Sequence, residues 1–330
     1  MSEYDNAFMK TPLNSAPLSA IAPNFARPVP TNGYAWWYFD ALSEDEKHGL
    51  TIIAFIGSVF SPYYAWARGR GAANPYDFCA LNVALYGDSG HRWAMTERPK
   101  ATTAITADRF QIGPSELAWD GHDMTIRIDE RTVPFPSALR GEVTVRPQIL
   151  HQRIFGLDSR DCHFWHPIGP DAAVTVSFVR PGLAWQGHGY FDMNYGAESL
   201  EDGFRQWNWS RRSNNGATTV AYNIEERSGT HRSIAAEFLA DGSSSDLEPS
   251  PLHRLPRTFW RLPRSTRSPR PVRVKATFED APFYSRSLLS MDLDGQAVPA
   301  FHESLSLDRF RHPIVQMLLP FRMPRAFWQR

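Results

Sequence analysis

The chain has 330 residues, 42% of them apolar and 13% aromatic, with 35 Lys or Arg balanced by 35 Asp or Glu. That length suits two domains of ordinary size and that apolar share fills a core, while a formal charge of zero argues against a general nucleic-acid binder. Two cysteines, Cys79 and Cys162, are too few for a disulfide framework and fit a reducing compartment.

Residues 1–30 are rich in Ala, Pro, Ser and Asn, lack the basic-plus-apolar pattern of a secretory signal, and read as a flexible leader. From Gly33 onward, apolar and aromatic runs alternate with turn residues, which predicts strands over 34–39, 49–56, 80–86, 109–112, 115–119 and 124–129. The longest apolar run, 50–60, is interrupted by Gly57 and Ser58 and falls short of the ~20 residues a bilayer requires. The expectation is therefore a soluble or peripheral protein, not an integral one. A strand over 172–179 leads through Arg180-Pro181-Gly182 into 186–196. Strands at 204–210 and 218–224 then flank Asn214-Asn215-Gly216, a strong hairpin signal. Further strands are predicted at 232–239, 270–278 and 283–292, with a polar loop over 241–250. The 26 prolines leave little room for long amphipathic helices. The chain thus reads as all-β, two barrel- or sandwich-like domains in tandem that meet near residue 195.

Residues 251–330 carry 14 Lys or Arg against 6 Asp or Glu. Such a bias suits either a solvated surface or contact with anionic lipid headgroups. Arg254, Arg257, Arg261, Arg264, Arg267, Arg270 and Arg273 are evenly spaced, but Pro256, Pro263, Pro269 and Pro271 break any helix, so an exposed, partly extended basic segment is expected. Residues 314–328 mix Leu, Phe and Trp with Arg, a composition for docking on the domain or lying at a membrane surface.

The chemistry is concentrated in Gln186-Gly187-His188-Gly189-Tyr190-Phe191-Asp192-Met193-Asn194-Tyr195-Gly196. On a strand, Tyr190, Asp192 and Asn194 share one face, so one carboxyl is flanked by a phenol and an amide. In Asp161-Cys162-His163-Phe164-Trp165-His166-Pro167, His163 and Trp165 likewise share a face. The chain has no phosphate loop, dinucleotide fingerprint or serine elbow, and no second Cys/His group at zinc spacing to join Cys162, His163 and His166. Aromatic-rich strands also serve as ordinary core, where an Asp is paired with Arg or bonded to an amide.

At these blocks, together with Asn32-Gly33-Tyr34-Ala35-Trp36-Trp37-Tyr38-Phe39-Asp40 and Phe55-Ile56-Gly57-Ser58-Val59-Phe60-Ser61-Pro62-Tyr63-Tyr64, the sequence resembles the carotenoid 1,2-hydratases of phototrophic bacteria, also called hydroxyneurosporene synthases. The resemblance runs from about Gly33 to about Phe310. It implies two lipocalin-like antiparallel β-barrel domains, placed here at 31–195 and 196–330, the second holding the basic Pro/Arg-rich segment. It also implies addition of water across the terminal C1–C2 double bond of acyclic carotenoids such as neurosporene and lycopene, giving a tertiary alcohol with no cofactor. The family's site residues match Asp192, Tyr190, His163 and Trp165 as catalytic groups, with Trp36 or Trp37 as an upstream partner; Asn194 joins the substrate-binding set through its shared strand face. Partners are then a carotenoid, water and a membrane surface that the protein meets peripherally from the cytoplasm.

Hydration with this orientation needs a proton at C2, a cation at C1, and then water. A free Asp has a pKa near ~3.9, so a neutral acid at pH 7 needs its pKa raised by about 3, worth roughly 4 kcal/mol. Burial in an apolar cavity supplies shifts of that size. Asp192 is the expected general acid, Tyr190 a hydrogen-bond partner to the acid or the water, and His163 a base returning the second proton through water. Trp165 and Trp36 or Trp37 would face the cation. Two alternatives keep the fold: a polyene cyclase of the same superfamily, and a carrier that binds carotenoid without turnover.

Overall fold

The computed structural model describes residues 23–87, 90–214, 216–293 and 295–326. Most of the expected leader, Asn215 of the expected turn and Trp328 of the tail lie outside the described residues.

The first sheet contains β1 (Tyr34–Ser43), β2 (His48–Ile56), β3 (Cys79–Gly87), β4 (Arg92–Arg98), β5 (Thr103–Ile105), β6 (Arg109–Ile112), β7 (Ser115–Trp119), β8 (Met124–Arg131), β9 (Ala138–Pro147), β10 (Phe155–Gly156), β11 (His163–Arg180) and β12 (Leu183–Gly196). Its order is β4-β3-β2-β1-β12-β11-β9-β8-β7-β6-β5, with β10 paired on β11. Strand β4 returns against β8, which nearly closes the sheet into a barrel. The second series is β13 (Phe204–Asn214), β14 (Ala217–Glu226), β15 (His231–Leu239), β16 (Ser244–Asp246), β17 (Leu252–Leu255), β18 (Arg264–Arg267), β19 (Val272–Asp280), β20 (Tyr284–Leu293) and β21 (Gln296–Ser306). Seven of these form a sheet in the order β16-β15-β14-β13-β21-β20-β19, and β17 and β18 pair separately. The helices are short: α1 (Pro62–Arg68), α2 (Leu200–Gly203), α3 (Leu307–Phe310) and α4 (Pro313–Leu318). Among the described residues no helix is long and apolar enough to cross a membrane.

All ten residues of β1 are buried, because the strand is covered on both sides. Period two divides it: Ala35, Trp37, Phe39 and Ala41 point into the barrel core, whereas Tyr34, Trp36, Tyr38 and Leu42 face the second sheet. The second sheet answers with Trp207, Trp209, Val220, Tyr222, Phe301 and Leu305. A second apolar layer therefore lies outside the barrel and between the sheets, and the candidate residues Trp36, Trp165 and Tyr190 belong to it.

Strands β4, β5, β9, β10, β16, β17, β18 and β21 lie outside those expected from sequence, and β16 forms within the expected polar loop 241–250 by pairing with β15. In β9, Leu139, Val143 and Val145 turn inward while Arg140, Glu142 and Arg146 stay out, so charged residues mask the alternation. The basic segment needs correction. It carries the β17–β18 hairpin across the second sheet, with Thr266 bonded to Ser210 at 3.2 Å. Arg264 is consequently buried and donates to the Pro256 carbonyl at 2.8 and 2.6 Å and to Ser287 Oγ at 2.7 Å. Arg254, Arg257 and Arg261 remain exposed, as expected.

Candidate active site

Three neighbouring strands build the site. Strand β1 pairs with β12 so that Tyr38 lies opposite Asp192 and Trp36 opposite Asn194, and β11 places Trp165 opposite Asn194 from the other side. The two strands approach closely where Gly189 faces Ala41; a Cβ there would stand 2.6 Å from the Asp40 carbonyl oxygen and 2.5 Å from a Val174 methyl. Glycine is what allows that approach.

Asp192 is fully enclosed. Its Oδ2 accepts hydrogen bonds from Tyr190 Oη at 2.8 Å and from Trp165 Nε1 at 2.9 Å, and the same indole N–H lies 3.1 Å from Tyr190 Oη. Its Oδ1 is buried with no hydrogen-bond partner among the described residues. Burial pushes the carboxyl far above the ordinary carboxylate range; the Tyr190 and Trp165 bonds oppose this, and the negative charges of Glu303 and Asp40 add to it. The carboxyl is thus held by one oxygen, while the other meets no donor among the described residues.

Aromatic rings surround it. Trp165 packs on Phe155 and Tyr222, with centroids 4.7 and 5.2 Å away, and Tyr190 packs on Trp209 at 5.5 Å. Asn194 Nδ2 donates to Tyr222 Oη at 3.4 Å. Trp209 and Tyr222 come from the second sheet and the sequence reading does not assign them to the site. Their signal is nonetheless present: a hairpin that pairs Asn214 with Ala217, counted back residue by residue, sets Trp209 opposite Tyr222.

Beside this layer lies a charged one. Arg211 Nε donates to Asp40 Oδ1 at 2.7 Å, and Arg286 holds Glu303 at 2.8 Å and Glu279 at 2.7 Å. Tyr38 Oη sits between the two sets, 3.0 Å from Asp40 Oδ2 and 2.9 Å from Glu303 Oε1.

Of the expected residues, the structure joins Asp192, Tyr190 and Trp165 by direct bonds and brings Asn194 alongside. Trp36 belongs to the same inter-sheet layer, stacked on Tyr34 at 5.0 Å and 6.3 Å from Trp207. Trp37 points the other way, into the barrel against Phe25 and Phe110. His163 stands opposite Gly196, four residues along the strand from Asp192, about 13 Å at strand rise. Its nitrogens are engaged by Tyr34 Oη at 2.9 Å and Glu198 Oε1 at 3.3 Å. His163 is thus tied to Tyr34, whose ring stacks on Trp36, and does not touch the carboxyl.

A cavity of about 400 Å³ lies between the sheets, lined among others by Met95, Asn82, Ile53, Phe55, Phe283 and Arg286. Cross-strand register sets Met95, Asn82, Ile53, Tyr38 and Asp192 in a single row across four strand pairings. Ile53 is thus two strands from Asp192, about 10 Å at sheet spacing. The cavity floor and the acid share one face of one sheet, with Tyr38 and Trp36 between them.

A model of the carotenoid hydratase CrtC family matches residues 52–330. The chain is 49% identical to an acyclic carotenoid 1,2-hydratase of Thiocapsa roseopersicina over 98% of its own length and 80% of the relative's. It is 46% identical to one of Rubrivivax gelatinosus, over 92% and 76%, and 37% identical to one of Rhodobacter capsulatus, over 84% and 99%. Among solved structures it resembles an AttH protein of Nitrosomonas europaea, at TM-score 0.55 and 13% identity over 83% of this chain and 92% of that one. CghA bound to Sch210972 is similar at TM-score 0.51 and 12% identity, over 88% and 96%. These two likenesses concern the lipocalin-like fold alone.

Proposed function

Since the chain belongs to the CrtC carotenoid hydratase family, we propose that Asp192 is the acid with which it hydrates its substrate. The enzyme is a hydro-lyase and its reaction is addition of water to an acyclic carotenoid. The observation that carries the mechanism is the asymmetry of one carboxyl: Oδ2 anchored by a phenol and an indole, Oδ1 buried and unpartnered.

In the scheme, the Oδ1 proton is transferred to C2 of the terminal double bond, whose π electrons form the new C–H bond and leave a tertiary cation at C1. The rings of Trp165, Trp36, Trp209 and Tyr222 face that cation, and a desolvated cation–π contact contributes about 2 kcal/mol. Water then attacks C1 and its extra proton returns to the Asp192 carboxylate, so the acid is regenerated and the net change is one water added. Tyr190 keeps the carboxyl oriented throughout. His163 acts at a distance by setting Tyr34 and Trp36. The scheme draws on side chains and water alone.

The carotenoid chain occupies the inter-sheet cavity with its end group running along the Ile53–Tyr38–Asp192 row. Residues 31–195 and 196–330 serve as two domains that share the site. The protein works peripherally at a membrane, where such a substrate dissolves; the basic excess of residues 251–330 supports this. The test is to incubate wild type and Asp192→Asn with lycopene or neurosporene in detergent, under anaerobic conditions in oxygen-18 water, and follow product mass. Labelled tertiary alcohol from wild type alone is expected. Labelled alcohol from both would remove Asp192 from its role, and unchanged pigment from both would favour a carrier.

A further inference from the structure

The C-terminal helix has two apolar faces where one would suffice. Along α4 and the 3₁₀ turn Leu319–Phe321 that continues it, Val315, Leu319 and Met323 recur every four residues and are buried in the inter-sheet layer. Ile314, Met317, Leu318 and Phe321, at i, i+3, i+4 and i+7, form a second stripe that is 58, 67, 42 and 71% exposed. A helix that merely covers a core presents polar residues outward. This one presents none along that stripe.

The neighbouring turn extends the patch. Arg309 donates to the carbonyls of Trp260, Arg261 and Pro282, which holds Phe259 and Trp260 at the surface, 88 and 46% exposed. Trp260, Leu318 and Phe321 all line the mouth of the inter-sheet cavity. Exposed Arg257, Arg261, Arg311 and Arg322 rim the patch, and the Arg322 guanidinium lies 4.6 Å over Trp93. Of the nearby acids, Asp308 pairs with Arg227, Asp202 lies 4.0 Å from Arg311 of the rim, and Asp280 accepts the Phe259 N–H through one oxygen, so Arg257, Arg261 and Arg322 carry the excess positive charge.

We propose that the outward stripe of α4, together with the Phe259–Trp260 turn, is a docking surface for an anionic lipid bilayer, with the cavity mouth turned to the acyl chains. Apolar side chains enter the acyl boundary and the arginine rim meets phosphate groups. A substrate dissolved in the bilayer then slides beneath α4 into the cavity without crossing water. The inference rests on the hydratase reading for the identity of what passes, and on the surface alone for the docking.

The test uses vesicles of phosphatidylcholine and phosphatidylglycerol and three full-length proteins: wild type, the double variant Ile314→Asp/Met317→Asp, and Leu239→Asp. Ile314 and Met317 do not line the cavity, and Leu239 is an exposed residue at the end of β15, toward the opposite edge of the second sheet from β19 and β20, which border the patch. Wild type and Leu239→Asp are expected to float with the vesicles, and the double variant to lose about tenfold or more of that partitioning while keeping its melting temperature. Turnover of vesicle-held carotenoid falls in the double variant only, and turnover of detergent-dispersed carotenoid stays equal in all three. Equal flotation of the double variant, failure of wild type to float, or a wild-type dimer that the double variant converts to monomer would each overturn the docking surface. If flotation behaves as stated but no protein hydrates detergent-dispersed carotenoid, the surface stands and the hydratase reading falls.

Discussion

Asp192 and Asp40 are buried carboxyls in one inter-sheet layer, and their surroundings are opposite. Asp40 is joined to the guanidinium of Arg211. Asp192 receives a phenol and an indole and, among the described residues, no cation. In both, burial raises the pKa, but at Asp40 the charge and hydrogen bonds of Arg211 act against it, whereas at Asp192 only neutral donors do, and neighbouring negative charge adds to the rise. Burial without a counter-charge favours the protonated form of a carboxyl, and burial beside a guanidinium favours an ion pair.

The largest effect that sharpens this contrast is on rate. Asp192→Asn, nearly isosteric, should lower hydration by about 10²–10⁴-fold while pigment still binds, as measured by product formation and absorbance titration. Its melting temperature should change little. Arg211→Met is the converse: it leaves Asp40 buried without its cation and should destabilise by roughly 3–5 kcal/mol in denaturant titration, with the Asp40→Asn/Arg211→Met pair recovering most of that loss. An Arg211→Met protein of wild-type stability would show that Asp40 is not held as an ion.

The paired tryptophans give a smaller version of the same comparison. Trp36→Phe should lower the turnover number by a factor corresponding to about 1 kcal/mol, because a weaker ring faces the cation, whereas Trp37→Phe should act on stability alone through the barrel core. Reversed outcomes would move the site to the barrel interior. The smallest effect expected is on pH. In the proposed scheme Asp192 acts in its protonated form and its folded pKa is raised, so activity is expected below that pKa and should be lost as pH rises through it. The stability contributed by the neutral carboxyl follows the same sign, full below the unfolded value and lost toward the folded one. Glu303→Gln removes a negative neighbour, so the alkaline limb of the rate profile should move to lower pH; a limb that stays in place would separate Glu303 from the acid.

Part of the site was legible because it is local. Strand alternation puts Tyr190 beside Asp192, and His163 beside Trp165, from spacing alone. What sequence could not supply was the partner set. Trp209 and Tyr222 lie on strands that read as ordinary core, and only docking of the second sheet turns them toward the carboxyl. His163 shows the reverse error of scale: two residues from Trp165 in sequence, it shares that residue's face, yet strand rise carries it away from Asp192. Likewise Arg264 belongs to an evenly spaced basic series whose members look alike until a hairpin buries one of them.

The sequence by itself determined the all-β class, the pairing of an acid with a phenol on one strand face, and the family, since these rest on period, turn chemistry and ordered motif blocks. Only the tertiary structure decided which Trp of the Trp36–Trp37 pair turns to the inter-sheet layer, which carboxyl is paired with an arginine, and where the cavity lies. Those are properties of two sheets pressed face to face. Burial and pairing depend on what stands opposite a side chain, and residues such as Arg211 and Asp40, 171 positions apart in the chain, carry no mark of each other until the fold brings them together.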